Sequence, residues 1–132
     1  MRLVSDLALA VITIFQEARG ESFQGKIAVA EVIRNRMRMK YSSDGTVVGT
    51  VLRPYQFSGW NTQDPNRIPA MRIDDTDPVV QECVQAWHQS ENSSFVGQAV
   101  LYLNKSIVHP LPNWARDDKE VARIGAHTFY IA

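Results

Sequence analysis

The sequence has one cysteine, no long apolar run and no excess of either charge, and each of these lacks removes a class of protein. Cys83 cannot close an internal disulfide, so stability must come from packing. It is read as a small apolar residue on the buried side of a helix rather than as a nucleophile. Fourteen basic and fourteen acidic side chains cancel. A neutral chain lacks the positive field of a nucleic-acid-binding protein, and no nucleic-acid partner is expected. The main apolar stretch, Leu7 to Phe15, is too short to span a bilayer, so no stable membrane insertion is expected. His88, His109 and His127 show no zinc-ligand spacing and no cysteine pair stands near them, so neither a metal nor another cofactor is expected. A phosphate-cradling glycine loop and a serine elbow are missing as well.

What remains is ordinary in composition. The chain has 132 residues, 45% hydrophobic and 21% charged, which suits one folded domain over 1–132 and excludes disorder. Arg2 followed by the Leu7–Phe15 run has the outline of a signal peptide. Asp6 interrupts it, however, and no small-residue cleavage site follows before Gln16-Glu17-Ala18-Arg19. The run is therefore expected to be a core helix without an export signal.

Helix signals punctuate the rest. Ser5 is a plausible N-cap, and Leu7, Val11, Ile14, Phe15 and Ala18 fall at helical spacing before Gly20 offers a stop. Ser22 can cap a second helix from Phe23 to Met39, with Ile27, Ala30, Ile33 and Met37 on its apolar face and Val29 and Val32 beside it. Arg34, Arg36, Arg38 and Lys40 read as a solvated helix end that complements the dipole. A helical turn over Thr46–Leu52 ends before Pro54. Arg53 to Thr76 reads as an irregular surface excursion. Asp77-Pro78 starts another helix, whose stripe is Val80, Cys83, Val84 and Trp87 and which stops at Ser90–Asn92. Ala99–Leu103 and His127–Ile131 read as short strands on either side of a Pro- and Trp-containing loop. The fold class is α+β: a mostly helical body with a small β element near the C-terminus.

Three clusters could carry chemistry. In the first, Glu17 ends a very apolar helix. Partial burial disfavours the ionised form, and a carboxylic acid still protonated near neutral pH is what protonating a glycosidic oxygen requires. Glu21 lies four residues on. On a continuous helix the two would sit about 5–6 Å apart at Cβ, but Gly20 argues against continuity. The residues alone also allow two ordinary glutamates, one paired with Arg19 and one favoured in a first helical turn. The second cluster, Arg53 to Asn61, alternates aromatic faces with amides and hydroxyls: Gln56, Phe57, Ser58 and Trp60. Its aromatics could stack on sugar rings or simply pin the loop to the core. The third set comprises Tyr102, Asn104, Trp114, His127 and Tyr130. Neighbouring strands could put Tyr102 and His127 or Phe129 on one wall of a cleft, although a histidine there can equally be a structural one. A Glu followed closely by an Asp, as in common phage lysozymes, is absent; the next Asp after Glu17 is Asp44.

In order, the blocks "EARGESFQGKIAVAEVIRNR", "VVGTVLRPYQFSGW" and "AVLYLN…LPNWA…IGAHTFY" resemble the SleB-type cell-wall hydrolases, from Leu7 to Tyr130. The resemblance implies a domain related to goose-type lysozymes and lytic transglycosylases. It implies as substrate the peptidoglycan glycan strand of alternating N-acetylglucosamine and N-acetylmuramic acid. The first Glu of the Glu-Ala-Arg-Gly-Glu stretch is the family's catalytic residue, which corresponds to Glu17. Gln56, Ser58, Tyr102 and His127 are then candidates for positioning sugar, and Trp60, Trp114 and Tyr130 for stacking; Glu21, Phe57 and Asn104 complete the expected substrate-binding set. Many relatives are larger secreted proteins with an export signal and a wall-binding module. Finding neither favours a phage or prophage endolysin, a monomer held in the host cytoplasm until a holin-type route lets it reach the wall. Two other readings stay open: an N-acetylmuramoyl-L-alanine amidase cutting the stem peptide, and a non-catalytic wall-binding or structural phage component. If Glu17 is the proton donor, activity on a wall suspension should fall along the alkaline limb as that carboxyl ionises. A rate that stays flat through the neutral range would count against it.

Overall fold

Ser5 accepts the Ala8 amide at 3.0 Å and opens α1, Asp6–Ala18. The computed structural model describes residues 5–54, 56–60 and 74–132; Tyr55, Asn61 and the rest of 61–73 lie outside the described residues, as does the side chain of Ser58. Ser22 caps α2, Phe23–Met39, through the Gly25 amide at 3.1 Å. Thr46 caps α3, Val47–Val51, and Asp77 with Pro78 opens α4, Pro78–Gln89. In each case a side-chain oxygen takes up an amide that the first turn leaves without a carbonyl, which is why Ser, Thr and Asp stand at these positions. A 3-10 turn over Ser58–Trp60 follows α3, and another over Ser90–Asn92 extends α4. Among the described residues no helix is long and apolar enough to cross a membrane.

The helices α1, α2, α3 and α4 share one core, in which Ile14, Val29, Ile33, Val51, Phe57, Cys83 and Trp87 are buried. Cys83 sits there as an apolar residue, and burial pushes its thiol up to about 11. Three antiparallel strands, β1 (Leu101–Leu103), β2 (Glu120–Ile124) and β3 (His127–Tyr130), form a sheet in the order β1-β3-β2. Tyr102 faces Phe129 across β1–β3, and Ile124 faces His127 across β2–β3. Gly125 and Ala126 make the turn between β2 and β3, with Gly125 at φ +57°, a conformation that a residue with Cβ seldom takes. One face of the sheet packs Phe129, Tyr102, Ala122 and Ile124 on Ala28 and Val32 of α2; the other holds Leu101, Leu103 and Tyr130 with Trp114 and Ala115.

The strand β2 is one departure from the sequence reading. Its alternation carries Glu120, Val121 and Arg123 outward or half-buried, and a bulge between Glu120 and Ala122 breaks its period, so no apolar stripe announces it. The other departure concerns α2. It is buried on nearly every side, and the basic end expected to be solvated is so only in part: Arg38 and Lys40 are exposed, Arg34 is half-buried and Arg36 is 4% exposed. The guanidinium carbon of Arg34 stands over the Trp87 ring, 3.7 Å from its centre, and the group donates to Ser90 Oγ and to the Trp87 carbonyl.

Buried polar groups on α2 are satisfied by backbone. Glu31 accepts from Ser93 Oγ and from the amides of Phe95 and Val96 at 3.1 and 3.0 Å. Asn35 Nδ2 donates to the carbonyls of Gly97 and Ala99, and Arg36 Nε donates to that of Val100 at 2.7 Å. Together these bonds lay the segment entering β1 along the helix. Glu31→Ala would leave buried amides without an acceptor, at about 1–3 kcal/mol for each such group. Glu31→Gln, which keeps one acceptor oxygen, should lose less. Chemical denaturation of the three proteins should rank them wild type, Gln, Ala; an Ala variant as stable as wild type would refute the assignment.

Candidate active site

The carboxyl of Glu17 stands half-buried in the last turn of α1, one residue before the helix ends at Ala18. Its Oε1 accepts a hydrogen bond from the Tyr102 hydroxyl, across 85 positions of sequence. Burial first, then the charge of Glu17 and this hydrogen bond, push the Tyr102 phenol well above its usual range, so it remains a donor at any working pH. Arg36 lies beneath. It donates to Gln56 Oε1 at 3.1 Å and rests over the Phe57 ring at 4.9 Å. Burial lowers the hold of Arg36 on its proton, and the fields of Tyr102, Tyr41 and Glu17 oppose that effect. The His127 ring meets Tyr102 edge-on at 4.9 Å, and burial draws its pKa below the ordinary 6.5, with Glu21 pulling the other way.

Of the residues singled out in the sequence, the fold gathers Glu17, Tyr102, His127 and Gln56, with Glu21 alongside. Others have different places. Phe57 is 1% exposed and Tyr130 fully buried, so neither can stack on a ligand: the aromatic cluster after α3 is pinned inward, the outcome that left Phe57 in the core beneath Arg36. Trp114 packs edge-on to Tyr130 at 5.5 Å, on the sheet face opposite Tyr102, and so cannot line the same wall. Trp60 packs against the helical core and donates its Nε1 proton to Thr13 Oγ1 at 2.8 Å, which ties the 3-10 turn to α1. Asn104 Oδ1 accepts from the Ser106 amide and hydroxyl and closes the turn after β1. Ser58 opens the 3-10 turn, with its side chain outside the described residues.

Sequence reasoning missed Arg36, Lys26 and Gln16. Lys26, 3% exposed, donates to the Glu21 carbonyl and pairs with Glu82 at 3.0 Å. Gln16 donates to the Gly59 carbonyl at 3.1 Å, and a Cβ on Gly59 would fall 2.6 Å from Gln16 Oε1, so glycine lets the turn close on α1. The only signal was their position: a cation or amide inside an otherwise apolar helical window must find a partner.

The depressed proton affinity of His127 has a consequence for stability. As the pH falls, the unfolded chain takes up this proton before the folded one does. The contribution of the group is complete above pH 6.5, its ordinary value, and is lost as the pH drops through the lower folded-state value. His127→Gln does not titrate, so its Tm should decline less steeply than that of wild type between about pH 7 and 5. Parallel Tm curves would exclude this linkage.

The chain is similar in sequence and in fold to known proteins. The model of the cell wall hydrolase family matches residues 20–130, from the corner after α1 to the end of β3. A spore cortex-lytic enzyme of Oceanobacillus iheyensis is 30% identical over 129 residues, covering 95% of this chain and 41% of that protein. The spore cortex-lytic enzyme of Bacillus subtilis is 27% identical over 129 residues, covering 95% and 37%. This chain thus spans less than half the length of these curated relatives. Its fold is similar to that of the catalytic domain of the germination-specific lytic transglycosylase SleB from Bacillus anthracis, with a TM-score of 0.70 at 24% identity over 95% of this chain and 93% of the other. It is equally similar to the catalytic domain of the Bacillus cereus SleB protein, with a TM-score of 0.72 at 24% identity over 95% and 88%. With most of its length matched by the family model, the chain belongs to the SleB-type cell wall hydrolase family.

Proposed function

We propose that this domain cleaves the glycan strand of peptidoglycan as a lytic transglycosylase, with Glu17 as acid and then base. The observation that carries the reading is the half-buried Glu17 carboxyl held by the Tyr102 hydroxyl, beside His127 and Gln56, at the end of an apolar helix. Relatives named as spore cortex-lytic enzymes and a fold neighbour named as a lytic transglycosylase support the substrate class.

In this scheme Glu17 gives its proton to the glycosidic oxygen as the bond from the muramic acid C1 to that oxygen breaks. The resulting carboxylate accepts the proton of the C6 hydroxyl of the same sugar as that oxygen attacks C1, leaving a 1,6-anhydro end. Tyr102 has a part in both steps. Its donation to Oε1 fixes which way the carboxyl points and supports the charged state reached after the first transfer. The endolysin setting adds a delivery route: expressed in the bacterial cytosol, the protein should be harmless until the membrane is breached, and lysis without a breach would exclude it.

Glu17→Gln keeps the shape of the side chain but has no proton to give at neutral pH. General acid–base assistance is typically worth about 10²–10⁴-fold, so this variant should be almost silent on purified peptidoglycan while keeping its melting temperature. Tyr102→Phe removes one hydrogen bond to a charged group, about 1.5–3 kcal/mol, and should turn over more slowly without being silent. Mass spectrometry of the products from wild type should find 1,6-anhydro-muramic ends. Reducing ends would instead identify a muramidase that uses water, and released stem peptides would identify an amidase. An active Glu17→Gln would overturn the central assignment.

A further inference from the structure

Glu21 has no part in the reaction just described, yet it is among the most constrained residues near the site. Its amide donates to the Ala18 carbonyl at 2.9 Å, and its own carbonyl accepts from the buried Lys26 ammonium. Gly25 leaves room for it: a Cβ there would stand 2.9 Å from Glu21 Cβ. The side chain then reaches to the β2–β3 turn, where Oε1 accepts the Ala126 amide at 3.0 Å, 105 positions away in sequence. Gly125 is bare for the same reason, because a Cβ at that position would fall 2.2 Å from Glu21 Oε1. The next residue along the chain from Ala126 is His127, whose ring rests on Tyr102, whose hydroxyl holds Glu17.

We propose that Glu21 is a positioning residue, a latch that fixes the Gly125-Ala126 turn to the α1–α2 corner and so sets His127 and Tyr102 against Glu17. The inference rests on Glu17 being the acid. It assigns Glu21 neither a proton to transfer nor a sugar to hold. What the latch needs from the side chain is an acceptor oxygen at this reach, and its negative charge is secondary. A glutamine offers the same oxygen at the same length, while an alanine offers none. Releasing the turn would let the Tyr102 wall drift by fractions of an ångström. Misplacement on the scale of 1 Å can cost about 10²-fold in rate.

The test compares wild type, Glu17→Gln, Glu21→Gln, Glu21→Ala and Gly125→Ala on a soluble glycan fragment of peptidoglycan, with melting curves for each. Glu21→Ala should lower kcat by about 10- to 100-fold with KM little changed. Glu21→Gln should restore most of that rate. In the same Gln variant, the His127 ring, followed by NMR titration, should lose the upward pull of Glu21 and titrate lower than in wild type, so that charge and acceptor are read separately. Gly125→Ala keeps Glu21 but pushes its carboxylate aside, and should reproduce the kcat loss even if Glu21→Ala does not fold. Adding Glu21→Ala to Gly125→Ala should then cost little more rate, since both remove the same latch. If Glu21→Gln is as slow as Glu21→Ala, the charge itself acts and the latch is wrong. If Glu21→Ala and Gly125→Ala both keep the wild-type kcat, the latch is likewise wrong, while a silent Glu17→Gln leaves the proposed function standing. An inactive wild type would sink that function, and with it the positioning role of Glu21.

Discussion

The site depends on a constraint in α2. A helix buried on nearly every side has no solvent face on which to put Glu31, Asn35 and Arg36, and each must find partners inside the protein. They find them in one strip of backbone, from Phe95 to Val100. The exchange satisfies both parties. Side-chain polar groups that would be costly alone become the ties that lay the chain along α2 and deliver it into β1 at a fixed height. Tyr102 is then two residues past the last tie, and its hydroxyl arrives at the end of α1 where Glu17 stands.

This arrangement places a cation, a phenol and a carboxyl in one partly buried group. Desolvation is the largest influence on both Arg36 and Tyr102, and it acts against ionisation in each. The phenol therefore stays neutral and donates. Arg36 is anchored by the Val100 carbonyl and Gln56, with the Phe57 ring beneath it. The Tyr102 hydroxyl, as a donor, fixes which way the Glu17 carboxyl points.

Much of the frame could be read from the sequence because helix starts are local. Ser5, Ser22, Thr46 and Asp77 act within three residues of themselves; Ser5, Ser22 and Asp77 cap where the pattern put them, while Thr46, read as the first residue of a helical turn, is the cap of α3. The strands holding Tyr102 and His127 could also be read, though not which of His127 and Phe129 would stand by Tyr102; both rings do. What escaped depends on distant partners. Arg36 looks like any arginine near a helix C-terminus until the segment 64 positions away covers it. Phe57 and Tyr130 suit a sugar platform as well as a core, and only burial decides. The five residues of β2 carry too many charges to show a buried face, because their role is to flank β3 rather than to fill the core.

Alternation along the strands explains why so small a sheet needs so many fixings. Tyr102 and Phe129 are opposite one another, and His127 is two residues from Phe129, so all three project from one face. Leu101, Leu103 and Tyr130 project from the other and pack with Trp114. A slip of one residue of β1 against β3 would turn Tyr102 to the other face and present a leucine to Glu17 in place of the phenol. Three residues of β1 contribute too few ladder bonds to prevent that alone. The register is held by more than the β1 ladder: by Asn35 and Arg36 at the entry to β1, by the bulge between Glu120 and Ala122 within β2, and by Glu21 on the Ala126 amide at the far turn. Each fixing lies on a different element, and all of them meet at the position of one hydroxyl group.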